Sequence, residues 1–87
     1  MNFKKTATLF KALANIKRLE ILLYLRQNEL SVGDLQQKLP LSQSALSQHL
    51  AVLRKAKIVQ TRRHRQQIFY RLENSLTRQI LNIITKD

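Results

Sequence analysis

Four side chains near the middle of the polypeptide have the chemistry to read a patterned surface: Gln43, Ser44, Ser47 and Gln48, in the stretch LSQSALSQHLAVLRK at 41–55. Carboxamides and hydroxyls donate and accept hydrogen bonds without carrying charge. Serine is a middling helix former, and a solvated helix face favours Glu, Lys or Arg. Gln43 and Gln48 can pair bidentately with adenine, and Ser44 and Ser47 can bond to several base edges or to phosphate. Arg54 and Lys55 follow three turns along, where phosphate contact is expected rather than base reading. The bland alternative is a plain polar face, but no acid compensates the neighbouring cations.

A second group is RRHRQ at 62–66, comprising Arg62, Arg63, His64, Arg65 and Gln66. On a hairpin tip such residues lie along a nucleic-acid backbone or enter a minor groove, where arginine is drawn to narrow A·T-rich segments. The same charges would also discourage strand-to-strand aggregation at an exposed edge.

Catalytic and metal chemistry find less support. There is no cysteine, hence no disulfide framework, thiolate metal site or thiol switch. His49 borders an apolar stripe and reads as a packed, hydrogen-bonded histidine; His64 reads as a solvated wing residue. No Ser–His–acid set can be argued, because the acids lie far in sequence from the serines. No metal and no cofactor are expected.

Charge points the same way. Sixteen Lys and Arg face five acids, a formal +11. Between Asp34 and Glu73 there is no acid, while Lys38, Arg54, Lys55, Lys57, Arg62, Arg63, Arg65 and Arg71 fall in that interval. A one-sign block within a structured pattern implies a polyanionic partner, nucleic acid before anionic membrane. Eighty-seven residues allow one small domain, spanning 1–87. Such a domain buries only about 60–65% of its unfolded surface, leaving little room for a deep catalytic pocket. The N-terminal apolar run is broken at Lys11, too early for a signal sequence, and no stretch approaches a membrane span. A cytoplasmic location is expected.

These side chains need elements to hold them. With one Gly and one Pro, helices should dominate. Ala7, Phe10, Leu13 and Ala14 give a helical stripe over Phe3 to Ala14. Asn15 caps a second helix, Ile16 to Gln27, made central by Leu19, Leu22, Leu23 and Leu25. Ser31 opens a short third helix with Asp34 as a variant capping box, and Pro40 stops it near Lys38. Ser42 caps the fourth, whose buried stripe is Leu46, Leu50 and Leu53, extended by Ala45 and Val52. IVQT (58–61) and QIFYRL (67–72) are β-branched and aromatic and flank RRHRQ, predicting two strands with a cationic tip. Leu76, Ile80, Ile83 and Ile84, flanked by Leu81, predict a last helix from about Asn74 to Thr85. The fold class expected is mostly α with a small β-hairpin: a winged helix-turn-helix.

LANIKRLEILLYL, ELSVGDL, LSQSALSQHLAVLRKAKIV and RQQIFYRL, in that order and spacing, resemble the ArsR/SmtB family of bacterial winged-helix repressors. The match covers nearly the whole chain and is nearest to the thiol- and sulfide-responsive branch. The resemblance implies a homodimer joined through the first and last helices, repression from an inverted-repeat operator on double-stranded DNA, and release by an inducer. Phe3, Phe10, Leu13, Leu76, Ile80, Ile83 and Ile84 are the expected dimer-interface residues, since two amphipathic end helices have little else to pack on.

The departures are specific. Metal-sensing members carry thiolates where this chain has Ser31 and Gly33, and a hydroxyl and a hydrogen cannot hold a soft metal. The last helix offers Glu73 and Asp87 without histidine, so the zinc site of other members is not expected. The first cysteine of the thiol-responsive branch aligns with Leu23, and the second would fall past Asp87. The inducer is unknown. Ile16 replaces a common proline, and Lys57 stands where the family has glycine. A left-handed Lys57 would cost on the order of 1 kcal/mol. The competing reading is a non-specific architectural or RNA-binding module on the same basic surface.

Overall fold

Every helix among the described residues starts on a small polar side chain that accepts a backbone N–H. The computed structural model describes residues 1–86. Its helices are α1 (Phe3–Leu13), α2 (Ile16–Gln27), α3 (Val32–Lys38), α4 (Gln43–Lys55) and α5 (Ser75–Ile84). The caps are Asn2, Asn15, Ser31, Ser42 and Asn74, each bonding the N–H three residues on. At α3 the capping box is complete: Ser31 Oγ accepts from Asp34 N at 3.1 Å, and Asp34 Oδ2 accepts from Ser31 N at 3.0 Å. Leu39, just before Pro40, is extended and ends α3, as the proline requires.

α2 lies at the centre. Ile21, Leu22 and Leu25 are buried on it and meet Leu35 of α3, Leu46, Leu50 and Leu53 of α4, Ile58, and Leu81 of α5. The α4 stripe is fully buried as its spacing predicts, but Val52, expected to extend it, is 40% exposed.

Both end helices are anchored to the core largely by residues outside the stripes read from the sequence. α1 buries Leu9, Ala12 and Leu13, whereas Ala7, Phe10 and Ala14 of the predicted stripe are exposed. The helix carries two apolar faces about 130° apart at about 100° per residue, and the sequence pattern alone does not say which one the core takes. α5 buries Thr77 and Leu81; Ile80 packs against the core, while Leu76, Ile83 and Ile84 point outward. Leu81, read as flanking, is the residue that anchors the helix. Leu13 is also a correction: at 7% exposure it belongs to this chain's own core.

The sheet has three strands rather than two. β1 (Leu30–Ser31), β2 (Val59–His64) and β3 (Gln67–Leu72) form an antiparallel sheet in the order β1-β3-β2. Two residues are too few to show a period, so β1 left no signal in the sequence. It pairs Leu30 with Tyr70 and Ser31 with Phe69. β2 also runs further than IVQT and includes Arg62, Arg63 and His64, leaving only Arg65 and Gln66 at the tip. Arg65 is left-handed, with φ 59°, a conformation tight hairpin loops demand.

Candidate nucleic-acid interface

The start of α4 stands free of the core that holds its other face. Gln43, Ser44, Ser47, Gln48, Arg54 and Lys55 are all exposed, while Leu46, Leu50 and Leu53 are sealed beneath them. α3 and α4 are joined by the residues 39–42, and the leucine stripe fixes which side of α4 faces outward. Ser47, Ala51, Arg54, Lys55, Lys57 and Tyr70 line a cavity of about 490 Å³ between α4 and the sheet. Ser47 of the uncharged edge and the cations therefore share one concave surface. Alternation alone reads Tyr70 as core; it is half-buried, with its strand bringing it to the wall of this cavity.

The end of α4 is closed by a Schellman motif. Lys57 N donates to Arg54 O at 2.9 Å, and Ile58 N donates to Leu53 O at 3.0 Å. Lys57 takes φ 61°, the left-handed position that glycine most often fills at a helix end. The turn holds Lys57 beside Lys55 on the cavity wall.

The hairpin arginines do not act as one set. Register pairs Arg62 with Phe69 and Arg63 with Ile68, and cross-strand partners share a face. Arg62 Nε donates to Glu29 Oε1 at 2.6 Å, and its guanidinium lies 5.0 Å from the Phe69 ring centre. Arg71 joins the same cluster, 3.1 Å from Glu73 and 4.0 Å from Glu29. Arg63 lies on the opposite face, the one carrying Tyr70 and the cavity. Arg63, His64, Arg65 and Gln66 are exposed. Glu29 precedes β1 by one residue, and its reach across the sheet has no local signal in the sequence.

His49 occupies the border of the buried stripe. Arg18 bonds Ala12 O at 2.6 Å and Lys11 O at 3.3 Å, closing the end of α1, and its Nη1 lies 3.4 Å from His49 Nδ1. Guanidinium only donates, which assigns the imidazole proton to Nε2. Burial, and then the Arg18 charge, hold the His49 pKa below its ordinary value.

The ELSVGDL segment is committed to structure. Ser31 Oγ is held by its capping bond to Asp34 N, and a Cβ on Gly33 would meet only that oxygen, at 3.8 Å. Among the described residues, no three His, Cys, Asp or Glu side chains come together as metal ligands. Asp87, weighed as a carboxylate donor, lies outside the described residues. No helix among the described residues is long and apolar enough to cross a membrane.

A buried helix-turn-helix with an exposed polar reading edge and a basic β-hairpin beside it defines a winged helix-turn-helix regulator that binds DNA. Residues 15–61, from the cap of α2 into β2, match the family described as "bacterial regulatory protein, arsR family", and the chain belongs to it. It is 48% identical to the transcriptional activator HlyU of Vibrio cholerae, over 95% of this chain and 77% of that protein. The solved structure of V. cholerae HlyU superposes with a TM-score of 0.88, covering 95% of this chain and 90% of that one. The transcriptional repressor BigR from Xylella fastidiosa gives 0.86 at 42% identity, over 93% and 83% of the two chains. A homodimeric winged helix-turn-helix DNA-binding domain from Mycobacterium bovis gives 0.86 at 27% identity, over 94% and 76%. The protein is a DNA-binding transcriptional regulator.

Proposed function

We propose that the chain is a single-domain cytoplasmic repressor that binds, as a homodimer, an inverted repeat in double-stranded DNA. Gln43, Ser44, Ser47 and Gln48 read bases in the major groove, Arg54 and Lys55 hold phosphates, and Arg63, His64, Arg65 and Gln66 contact the flanking backbone or minor groove. Arg62 serves this surface indirectly, as the hairpin's tie to Glu29. The observation that carries the reading is the shared groove of Ser47 with Arg54 and Lys55. Base reading and charge neutralisation are there separated by residue type on one helix.

The dimer rests on the outward faces of the end helices. Phe3 is 74% exposed and Ile83 72%, with Phe10, Leu76 and Ile84 also open. Five large apolar side chains on the two ends of a small domain imply a covering partner, and a second copy matches the homodimer of the M. bovis relative. A twofold arrangement sets half-sites about one helical turn, or ~34 Å, apart. The chain acts by binding rather than by catalysis. Residues 1–87 hold no cysteine, so they supply no thiol or thiolate ligand to a trigger.

Selection from random duplexes tests this reading. Enrichment of an inverted repeat with half-sites one turn apart, bound by two copies, is the expected result. Flat sequence dependence, or preference for structured RNA, would instead establish the non-specific module.

A further inference from the structure

The cationic surface continues past the end of α4. A second groove, of about 540 Å³, opens between the starts of α1 and α5 and the end of α4; Lys4, Lys5, Lys55 and Lys57 line it, and Leu76 forms its wall towards the proposed dimer face. Lys55 and Lys57 also line the cavity beside Ser47 and Arg54, so the two concavities share a wall. Among the described residues no carboxylate lines either one. The caps that border the groove, Asn2 and Asn74, are neutral, and neither α1 nor α5 has an acid in its first turn.

Lys4 and Lys5 are the second and third residues of α1. That is the end of a helix where cations are disfavoured and where stability alone would select Asp or Glu. Two lysines held against this preference, facing two more across a concavity, form a site that a polyanion relieves. We propose that this groove grips the sugar–phosphate backbone of the same duplex that α4 reads, just outside the contacted bases. The proposal rests on the DNA-reading role of α4. Charge complementarity and continuity with the reading surface select duplex DNA as the occupant. Contacts of this kind fix register without reading sequence.

The test uses the full chain carrying Lys4→Gln and Lys5→Gln, titrated by fluorescence anisotropy against operator and random duplexes at several salt concentrations. Affinity for both duplexes is expected to fall by the same factor. The log–log salt slope should shrink by about 0.9 for each phosphate contact removed. The melting temperature should hold or rise, because two unfavourable charges leave the helix start. An unchanged slope, a loss confined to operator, or a lower melting temperature with loss of the dimer would overturn the proposal. Ser47→Ala with Gln48→Ala separates the two readings: it should erode operator preference and leave the slope intact. ATP at matched ionic strength provides the last arm. No displacement of DNA beyond that seen with added salt is expected. ATP displacement that the lysine variant abolishes would make the groove a site for a free phosphorylated anion and overturn the backbone assignment.

Discussion

Glu29 holds the guanidinium of Arg62 at 2.6 Å, on the face of the sheet away from the α4 groove. One carboxylate thereby takes an arginine out of the cationic surface and ties the outer half of β2 to the residue before β1. Both side chains are partly exposed, so the pair adds modest stability. Its larger effect is on where positive charge is presented. Glu29→Gln should free Arg62 and tighten binding to operator and random DNA alike, steepening the salt slope by up to about 0.9 per added phosphate contact. Anisotropy at two salt concentrations reads this directly; unchanged affinity would mean that Arg62 stays on the far face of the sheet, away from phosphate, even without its partner.

Lys57 makes a second prediction, of mixed sign. Lys57→Gly relieves a left-handed lysine and should stabilise the fold by about 1 kcal/mol, the typical penalty for that conformation. It also removes a cation from both grooves, so DNA affinity should fall while the urea midpoint rises. A drop in both would show that the lysine stem supports the turn.

Replacing the cap of α3 tests the structural role of the ELSVGDL segment. Ser31→Ala breaks one arm of the capping box and should cost about 1 kcal/mol in urea unfolding. Added zinc should shift neither the wild type nor the variant. Zinc-dependent release from DNA would contradict the structural role given to this segment.

Much of this architecture can be read from residues 1–87 themselves. The caps Asn15, Ser31 and Ser42 stand where small acceptors precede helical runs, and Leu46, Leu50 and Leu53 repeat with the helical period, so α4 and its exposed edge were legible. The core-facing sides of α1 and α5 were not, because Leu9 and Ala12 share a helix with the Phe3, Ala7 and Phe10 stripe, and Leu81 adjoins the stripe of Leu76, Ile80 and Ile83. β1 escaped notice because a two-residue strand exists only through its partners Tyr70 and Phe69. The split of the hairpin arginines depends on Glu29, a contact spanning more than thirty positions that local pattern does not encode.

His49 predicts a pH dependence. Burial and the Arg18 charge depress its pKa in the folded protein, so the unfolded chain takes up the proton first as pH falls. The stabilisation is complete above the unfolded value of about 6.5 and is lost as pH drops from there through the folded value. Urea midpoints from pH 8 to pH 5 should fall for the wild type and fall less for His49→Gln. Equal pH profiles would show that neither the burial of His49 nor the Arg18 charge couples its protonation to folding.

The most direct measurement compares operator with random duplex for the wild type and for Ser47→Ala with Gln48→Ala, by anisotropy at fixed salt. Preference for operator should collapse in the variant, with affinity for random DNA nearly unchanged. Retained preference, or equal loss on both duplexes, would contradict base reading by the start of α4.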